Sequence, residues 1–167
     1  MSEHPLLRAD SILGALVDAG VDFVVIGGLA AQVHGSPSLT GDVGICHSLD
    51  RANLDRLELA LGHLSAIRRN LPDAVRAPVD AHALRAGDVF TLTTRDGDLD
   101  LLAHPDPGLD FETLARSAST VEILGVPVRV ASLDDLMAMK RAAGRPKDRV
   151  DLEILGALRE EIDRRPA

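Results

Sequence analysis

Short apolar runs alternate with longer amphipathic stretches along the chain. Residues 22–26 form a short, β-branched run closed by two glycines, which is typical of a buried strand. Apolar residues recur at helical spacing between positions 12 and 17, which predicts a helix from about 10 to 18 that ends before Gly20. The same reasoning predicts strands at 43–46, 89–93, 98–102, 120–124 and 126–130, helices at 29–34, 51–61, 133–143 and 146–162, and a helical turn at 109–115.

Turn-forming and capping residues mark the boundaries of these elements. Arg95-Asp96-Gly97 separates two alternating runs and predicts a hairpin. Ser132, with Asp135 three residues later, is a capping box at the start of the next-to-last helix. Between 64 and 87 the signals are weak and predict a loop with one short helix. No repeat, low-complexity tract or linker interrupts the pattern, so we expect one α/β domain over residues 1–167.

Size and composition are those of a soluble globular protein. The chain has 167 residues, of which 46% are hydrophobic and 26% charged, enough for a buried core. No apolar run approaches the roughly 20 residues that span a bilayer, and the N-terminus lacks the pattern of a secretory signal. The single cysteine, Cys46, cannot form an internal disulfide, which fits a reducing compartment. We therefore expect a cytoplasmic protein with no membrane partner.

Charge and aromatic content limit the partners of the chain. The formal net charge is -8 and only 2% of residues are aromatic. Broad binding to nucleic acid is disfavoured, because it normally needs a basic protein and, for single strands, aromatic stacking platforms. Both lysines lie in the segment 140–149, in which five of the ten residues are basic. This patch suits a triphosphate or one end of a nucleic acid; the alternative is a solvated connection between two helices.

Two glycines and an aspartate form the most informative motif. Gly27-Gly28 closes the run at 22–26, and Asp42-Val43-Gly44 follows after thirteen residues. The segment FVVIGGLAAQVHGSPSLTGDVGI resembles the signature of the polymerase-β-like nucleotidyltransferases, and it is most similar to the small bacterial branch related to AbiEii-type toxins. The resemblance implies an α+β nucleotidyltransferase fold, in which helices pack mainly on one face of a mixed β-sheet and C-terminal helices at about 132–163 lie on the core.

The same resemblance implies a function. A protein of this type binds a nucleoside triphosphate with Mg²⁺ or Mn²⁺, transfers the nucleotide to a hydroxyl and releases pyrophosphate. For the toxin-related branch the implied acceptor is an RNA end or a protein hydroxyl, and an antitoxin protein is an implied partner. Two interpretations stay open: an active nucleotidyltransferase, or a catalytically impaired nucleotide-binding or interaction module.

The metal site implied by the resemblance lacks one carboxylate. The signature usually ends in two carboxylates one residue apart, which point to the same face of a strand. Together with a third carboxylate from a neighbouring strand they hold two divalent ions. By this resemblance Asp42 is the first carboxylate and Asp100 the third, so both are expected to be catalytic metal ligands on one face of adjacent strands. The second position is Gly44, which supplies no ligand, and Asp98 is more simply a residue at the start of its strand.

Residues near the glycine motif are candidates for nucleotide binding. Gly27 and Gly28 allow the backbone to approach phosphates, although a glycine pair after a strand is also a plain turn. Thr40 matches a threonine of the family, whose hydroxyl either binds phosphate or caps the turn. Ser38 stands where the relatives commonly carry arginine, so a phosphate-facing charge is missing. The departures at Ser38 and Gly44 are either natural or engineered.

The C-terminal segment SLDDLMAMKRAAGRPKDRVDLEIL carries the second part of the resemblance. It implies that Lys140 contacts phosphate in the same pocket as Asp42, with Arg145 or Lys147 beside it. Lys140 is expected to be an exposed charge, and exposed charges contribute little to stability, so reversing its charge is expected to weaken nucleotide binding and to leave thermal stability nearly unchanged. Asp148 is expected to orient a basic partner or to act at the active centre; the alternative is compensation of the helix dipole in the first turn of the last helix.

Overall fold

A computed structural model describes residues 5–75 and 78–165, in which one sheet has seven strands. The strands are β1 (Phe23–Ile26), β2 (Asp42–His47), β3 (Ile67–Arg68), β4 (Val89–Thr94), β5 (Gly97–Leu102), β6 (Ser119–Ile123) and β7 (Val126–Val130). The helices are α1 (Ala9–Asp18), α2 (Gly27–Val33), α3 (Arg51–His63), α4 (Ala81–Ala86), α5 (Phe111–Ser117), α6 (Leu133–Ala143) and α7 (Pro146–Arg164), and Asp73–Val75 forms a 3₁₀ turn.

The sheet is mixed, with the order β3-β4-β5-β2-β1-β7-β6. Strand β2 lies near its centre, antiparallel to β1 and parallel to β5. Strands β1 and β7 are also parallel, whereas β4 and β5 form the predicted antiparallel hairpin and β6 and β7 form another. The predicted class, a mixed sheet with helices in an α+β arrangement, is confirmed.

The register between β2 and β5 fixes which side chains share a face. Asp42 lies opposite Asp98, and Gly44 lies opposite Asp100. Residues in register on neighbouring strands point to the same face, so these four positions form one polar surface. The alternate side chains of the two strands point to the other face, where they are fully buried: Val43, Ile45, Leu99 and Leu101. The predicted placement of Asp42 and Asp100 on one face of adjacent strands is therefore confirmed.

The hydrophobic core packs the first helices against the sheet. Ile12, Leu13 and Leu16 of α1 are fully buried, and α1 contacts β2, β5 and β7. Helix α3 packs against α1 and α4 and buries Leu54 and Leu57. Fully burying a side chain of this size contributes about 1.5–3 kcal/mol relative to leaving it exposed, so this layer fixes the strands that carry the polar surface.

Helix α2 connects the C-terminal helices α6 and α7 to the sheet. Helix α2 contacts β1 and β2, and α6 contacts both α2 and α7. Ser132 Oγ accepts a hydrogen bond of 3.1 Å from the Asp135 N–H, one half of the predicted capping box. The Asp135 carboxylate instead accepts a hydrogen bond from Ser117 Oγ at 2.6 Å. It therefore does not make the reciprocal bond of a capping box with the Ser132 backbone N–H. None of the helices in the described parts of the chain is long and apolar enough to cross a membrane.

The stretch 64–87 contains more structure than its sequence pattern predicts. The expected short helix is α4, but β3 is also present and pairs with β4. With two residues, β3 is too short for alternating polarity to reveal it. Helix α2 begins at Gly27 rather than at residue 29, and β2 begins at Asp42 rather than at residue 43.

Candidate functional site

A cavity of about 410 Å³ lies at the end of the sheet where β2 begins. One side, which we call the sheet wall, is formed by the glycine motif with Asp42, Gly44 and Asp100; the other, the helical wall, is formed by α6 and α7. All ten residues predicted as site residues line this cavity: Gly27, Gly28, Ser38, Thr40, Asp42, Asp100, Lys140, Arg145, Lys147 and Asp148. The fold thus brings both parts of the sequence pattern together, including the predicted approach of Lys140 and Arg145 to Asp42.

A second, wider groove of about 860 Å³ lies between α1, α3 and residues 95–96. It contains none of the predicted site residues and is more open to solvent. The smaller cavity is therefore the candidate site, because carboxylates and cations from separate segments converge there.

The glycine motif is shaped by two different requirements. Gly27 has a φ of +71°, a left-handed conformation that favours glycine. Gly28 is needed for space, because a Cβ at this position would lie 2.8 Å from Thr40 Cβ and 2.9 Å from Thr40 Oγ1. The pair thus begins α2 and packs against Thr40, and the predicted approach of phosphate to this backbone stays a prediction.

Thr40 supports the first carboxylate of the site. Its hydroxyl lies 3.2 Å from Asp42 Oδ1 and 3.1 Å from the Asp42 carbonyl oxygen, so it donates to one of these two acceptors at a time. These contacts match the turn-capping alternative for Thr40, and they also restrict the orientation of the Asp42 side chain. A role in phosphate binding is compatible with them and stays a prediction.

The carboxylates of Asp42 and Asp100 interact electrostatically. Burial raises the pKa of Asp100, and the negative charge of Asp42 raises it further. Arg69 opposes both effects through its charge and its hydrogen bond. A pair of this kind favours the approach of a cation, because a cation stabilises both carboxylates in their charged form.

Arg69 contacts a carboxylate of the site from outside the cavity, and no sequence pattern predicted this contact. Its Nη2 donates to Asp100 Oδ1 at 2.6 Å and to the Leu92 carbonyl oxygen at 3.1 Å, and its Nη1 lies 3.5 Å from Asp98 Oδ2. Arg69 directly follows β3, in the stretch with the weakest pattern. A signal was nevertheless present: Asp98 and Asp100 alternate with buried leucines on an inner strand, and half-buried carboxylates need a counter-charge.

The helical wall pairs most of its charges internally. Lys140 Nζ lies 3.3 Å from Asp148 Oδ1 and 2.9 Å from Asp151 Oδ2. Its side chain is only 24% exposed, so the expectation that Lys140 is an exposed charge is wrong. Lys147 differs: it is exposed and has no ion-pair partner within residues 5–75 and 78–165.

Asp148 is held by the start of α7. Its Oδ2 accepts from Arg145 Nε at 2.8 Å and from the Arg145 backbone N–H at 3.0 Å. These hydrogen bonds, together with Lys140, hold the pKa of Asp148 well below its usual range. The carboxylate has no accessible surface, but long cationic side chains cover it: the Arg145 side chain is itself 62% exposed. The structure therefore shows Asp148 binding basic partners and capping α7, whereas a catalytic role stays a prediction.

Position 44 can accommodate a side chain. A Cβ on Gly44 would have its nearest neighbour, the Ile26 carbonyl oxygen, at 3.5 Å, which is an ordinary contact. Gly44 does not adopt a positive φ, so its backbone conformation does not require glycine. Packing therefore does not explain the absence of a carboxylate here.

The donor set fits one divalent ion better than two. Within residues 5–75 and 78–165 no group of three or more His, Cys, Asp or Glu side chains could hold a metal ion. Asp42 and Asp100 remain, and one Asp100 oxygen already accepts from Arg69. Because Mg²⁺ is commonly bound by one or two carboxylates together with substrate phosphates, these residues fit a single ion that enters with a triphosphate.

Comparison with known proteins gives structural neighbours only. No protein-family model matches the sequence, and no curated protein sequence matches it. TM1012 from Thermotoga maritima, assigned as a nucleotidyltransferase, is 18% identical over 97% of this chain and 98% of its own, with a TM-score of 0.54. ANT(2'')-Ia, solved with adenylyl-2''-tobramycin, is 16% identical over 91% of this chain and 95% of its own, with a TM-score of 0.53.

A third neighbour extends the comparison. The lincosamide antibiotic adenylyltransferase LnuA, solved with lincomycin bound, is 13% identical over 92% of this chain and 99% of its own, with a TM-score of 0.58. At such identities the likeness shows the fold alone. The chain has the nucleotidyltransferase fold that its sequence motif predicts.

Proposed function

We propose that this chain binds a nucleoside triphosphate with Mg²⁺ in the cavity between the sheet wall and the helical wall, and transfers the nucleotide to a hydroxyl acceptor. The observation that carries the proposal is the convergence of two sequence segments, 23–45 and 132–155, on one cavity of about 410 Å³. That volume is within the usual range of small-molecule sites, about 300–1,000 Å³. The shared fold of two adenylyltransferase-related neighbours adds support.

The position of each residue supports the role that we propose for it. Asp42 and Asp100 would hold the cation, with Thr40 restricting Asp42 and Arg69 restricting Asp100. When bound, Mg²⁺ or Mn²⁺ would neutralise the triphosphate and polarise its phosphoryl oxygens. Lys147 has no competing carboxylate among the described residues and is the cation best placed to bind phosphate first.

The remaining nucleotide contacts would come from both walls. Gly27 and Gly28 expose backbone to the cavity, and Ser38 offers a hydroxyl where a charge is missing. Lys140 and Arg145 would also bind the nucleotide, after releasing the Asp148 carboxylate and binding phosphate oxygens instead.

The acceptor and partners are proposed from the sequence resemblance. An RNA end or a protein hydroxyl in the cytoplasm is the acceptor that the toxin-related branch implies, with an antitoxin as partner. The neighbour LnuA acts on lincosamide antibiotics, so small hydroxyl compounds belong among the acceptors to be tested. The net charge of -8 favours recognition of one nucleic-acid end over binding along a duplex.

A second candidate is a catalytically impaired nucleotide-binding module. Gly44 supplies no carboxylate although a side chain would fit, and Arg69 already neutralises Asp100. Such a protein would bind Mg²⁺-NTP without measurable transfer.

Calorimetric titration with each of the four NTPs, with and without Mg²⁺, tests the binding proposal. We expect Mg²⁺-dependent binding of at least one NTP, and no binding in either condition would overturn the proposal. A transfer assay with labelled NTP, offering RNA, protein and antibiotic acceptors, then separates the two candidates. Labelled product supports the enzyme; binding without product in all acceptor sets supports the impaired module.

A further inference from the structure

Three aspartates lie on one face of the sheet, which we call the carboxylate face, but only two of them line the cavity. Asp42, Asp98 and Asp100 all point to this face, on two strands that pair in register. Neighbouring strands lie about 4.7–4.9 Å apart, so the three side chains are close neighbours. Like charges in adjacent positions on a sheet destabilise it, and partial burial strengthens that repulsion.

Arg69 is placed to offset this repulsion. Its backbone N–H donates to the Thr91 carbonyl oxygen at 2.8 Å, which continues the pairing of β3 with β4 by one residue. Thr91 in turn lies opposite Asp100, so Arg69, Thr91 and Asp100 form a row across the carboxylate face. The guanidinium reaches along this row to both aspartates of β5.

The contacts of Arg69 indicate that the carboxylates determine its orientation. Its side chain is 20% exposed, and its Nε is buried without a hydrogen-bond partner. An unsatisfied buried donor is costly, so it must be offset by the other contacts of the same group. Within residues 5–75 and 78–165, Arg69 is the ion-pair partner of both Asp98 and Asp100, and Asp42 has none.

Gly44 contributes to the same charge balance. It lies opposite Asp100 on the carboxylate face, where a side chain would fit. A carboxylate there would add a fourth negative charge, whereas glycine adds none and Arg69 adds a positive one. The negative charge of the sheet wall is thus partly balanced without a divalent ion.

We propose that Arg69 is a positioning residue that acts as a built-in counter-cation: it holds Asp100 beside Asp42 in the absence of metal, and it lowers the affinity of the site for a free divalent cation. The proposal rests on the proposed function in assigning Asp42 and Asp100 as cation ligands. A divalent ion then enters the site together with the triphosphate, whose oxygens supply the missing ligands.

Replacement of Arg69 tests this role through metal binding rather than activity. Arg69→Gln removes the charge and frees an Asp100 oxygen, so the variant should bind Mn²⁺ without nucleotide about tenfold or more tightly than the parent, given the strength of a charge-assisted hydrogen bond. It should also unfold at a lower temperature without metal, and Mn²⁺ should recover most of that loss. Arg69→Lys keeps the charge but not all of these contacts, so it should bind Mn²⁺ less tightly than Arg69→Gln.

The matched control is Arg56→Gln, since Arg56 also pairs with a carboxylate, Asp22, but far from the cavity. Its Mn²⁺ affinity and Mn²⁺-dependent stability should equal those of the parent. An Arg69→Gln variant that is destabilised but not rescued by Mn²⁺ would show a merely structural role and overturn the proposal. Equal Mn²⁺ affinity in parent and variant, including binding to neither, would overturn it as well.

A double variant guards against failure of Arg69→Gln to fold. Arg69→Gln with Asp98→Asn removes one positive and one negative charge, while the new side-chain amide keeps an acceptor for the Thr93 hydroxyl that now bonds Asp98 at 3.1 Å. This protein should be near the parent in stability and still bind Mn²⁺ more tightly, because Asp100 is free. Unchanged Mn²⁺ affinity in the double variant would reject the proposal. The NTP titration of the parent is independent of these measurements, so failure of the proposed function is recognised separately.

Discussion

The two walls of the cavity hold their charges in different ways. On the sheet wall, strand register places Asp42 and Asp100 on one face, diagonally across β2 and β5, and Arg69, a cation outside the cavity, partly neutralises Asp100. On the helical wall, Lys140 and Arg145 pair with Asp148 and Asp151 over the first turn of α7. The first arrangement leaves excess negative charge at fixed positions, whereas the second is nearly self-neutral.

This difference assigns separate tasks to the walls. Under the proposed function, the sheet wall offers a cation two carboxylates at positions that the backbone fixes, and Arg69 holds one oxygen of Asp100. The helical wall must exchange carboxylate partners for phosphate oxygens before Lys140 and Arg145 can bind a triphosphate. Changes on the sheet wall should therefore alter metal dependence, and changes on the helical wall should alter the balance between nucleotide affinity and stability.

The largest effect is expected for Asp42→Asn on the sheet wall. This change removes one of two candidate cation ligands and half of the carboxylate pair. Mg²⁺-dependent NTP affinity should fall by at least about 100-fold, since even indirect changes at metal sites cost 10–100-fold. Titration with NTP at saturating Mg²⁺ measures it. Asp55→Asn, which removes the same charge from the exposed face of α3, should bind like the parent; equal affinity of both variants would remove Asp42 from the site.

Gly44→Asp should make the sheet wall a more complete metal site. The new carboxylate points to the same face as Asp42, and its Cβ has ordinary clearance. Mg²⁺-NTP affinity should rise about tenfold, as expected for one added charge-assisted contact, and Ser38→Arg should add to the gain. Gly41→Asp is the control, because it places the same charge at an exposed position just before the strand. No gain over this control would mean that position 44 is not a ligand position.

Sequence reasoning and structure agree where a side chain's position follows from a regular element. The period of two residues places Asp42 with Gly44 on one face of β2 and Asp98 with Asp100 on one face of β5. That the two strands present these residues to the same side was implied by the family resemblance, and the register confirms it. Arg69 could not be found in this way, because its neighbouring strand has two residues and exists only through pairing with β4. The pairing of Lys140 with Asp151 was also missed, since it depends on the angle at which α7 leaves α6 rather than on any local pattern.

A smaller effect should separate the two lysines of the helical wall. Lys147→Ala removes an exposed cation without an ion-pair partner among the described residues, so NTP affinity should fall about three- to tenfold with no change in stability. Lys140→Ala leaves Asp148 and Asp151 without their shared lysine, so it should lower both NTP affinity and thermal stability. Binding titrations and thermal unfolding of both variants provide the comparison. If Lys140→Ala leaves stability unchanged, the ion pairs of the helical wall are not formed in solution.

The smallest effect is the pH dependence of the Asp148 contacts. Hydrogen bonds from Arg145 depress the pKa of Asp148 in the folded protein relative to the unfolded value of about 3.9. A depressed folded pKa contributes stability that is present above the unfolded pKa and is lost as pH falls toward the folded one. Asp148→Asn should therefore be less stable than the parent at neutral pH, and this difference should shrink below about pH 4. Urea unfolding of both proteins between neutral and acidic pH measures the difference, and Lys147→Ala should follow the parent throughout. A difference that stays constant down to the lowest pH would mean that Asp148 contributes through its shape at the start of α7 rather than through its charge.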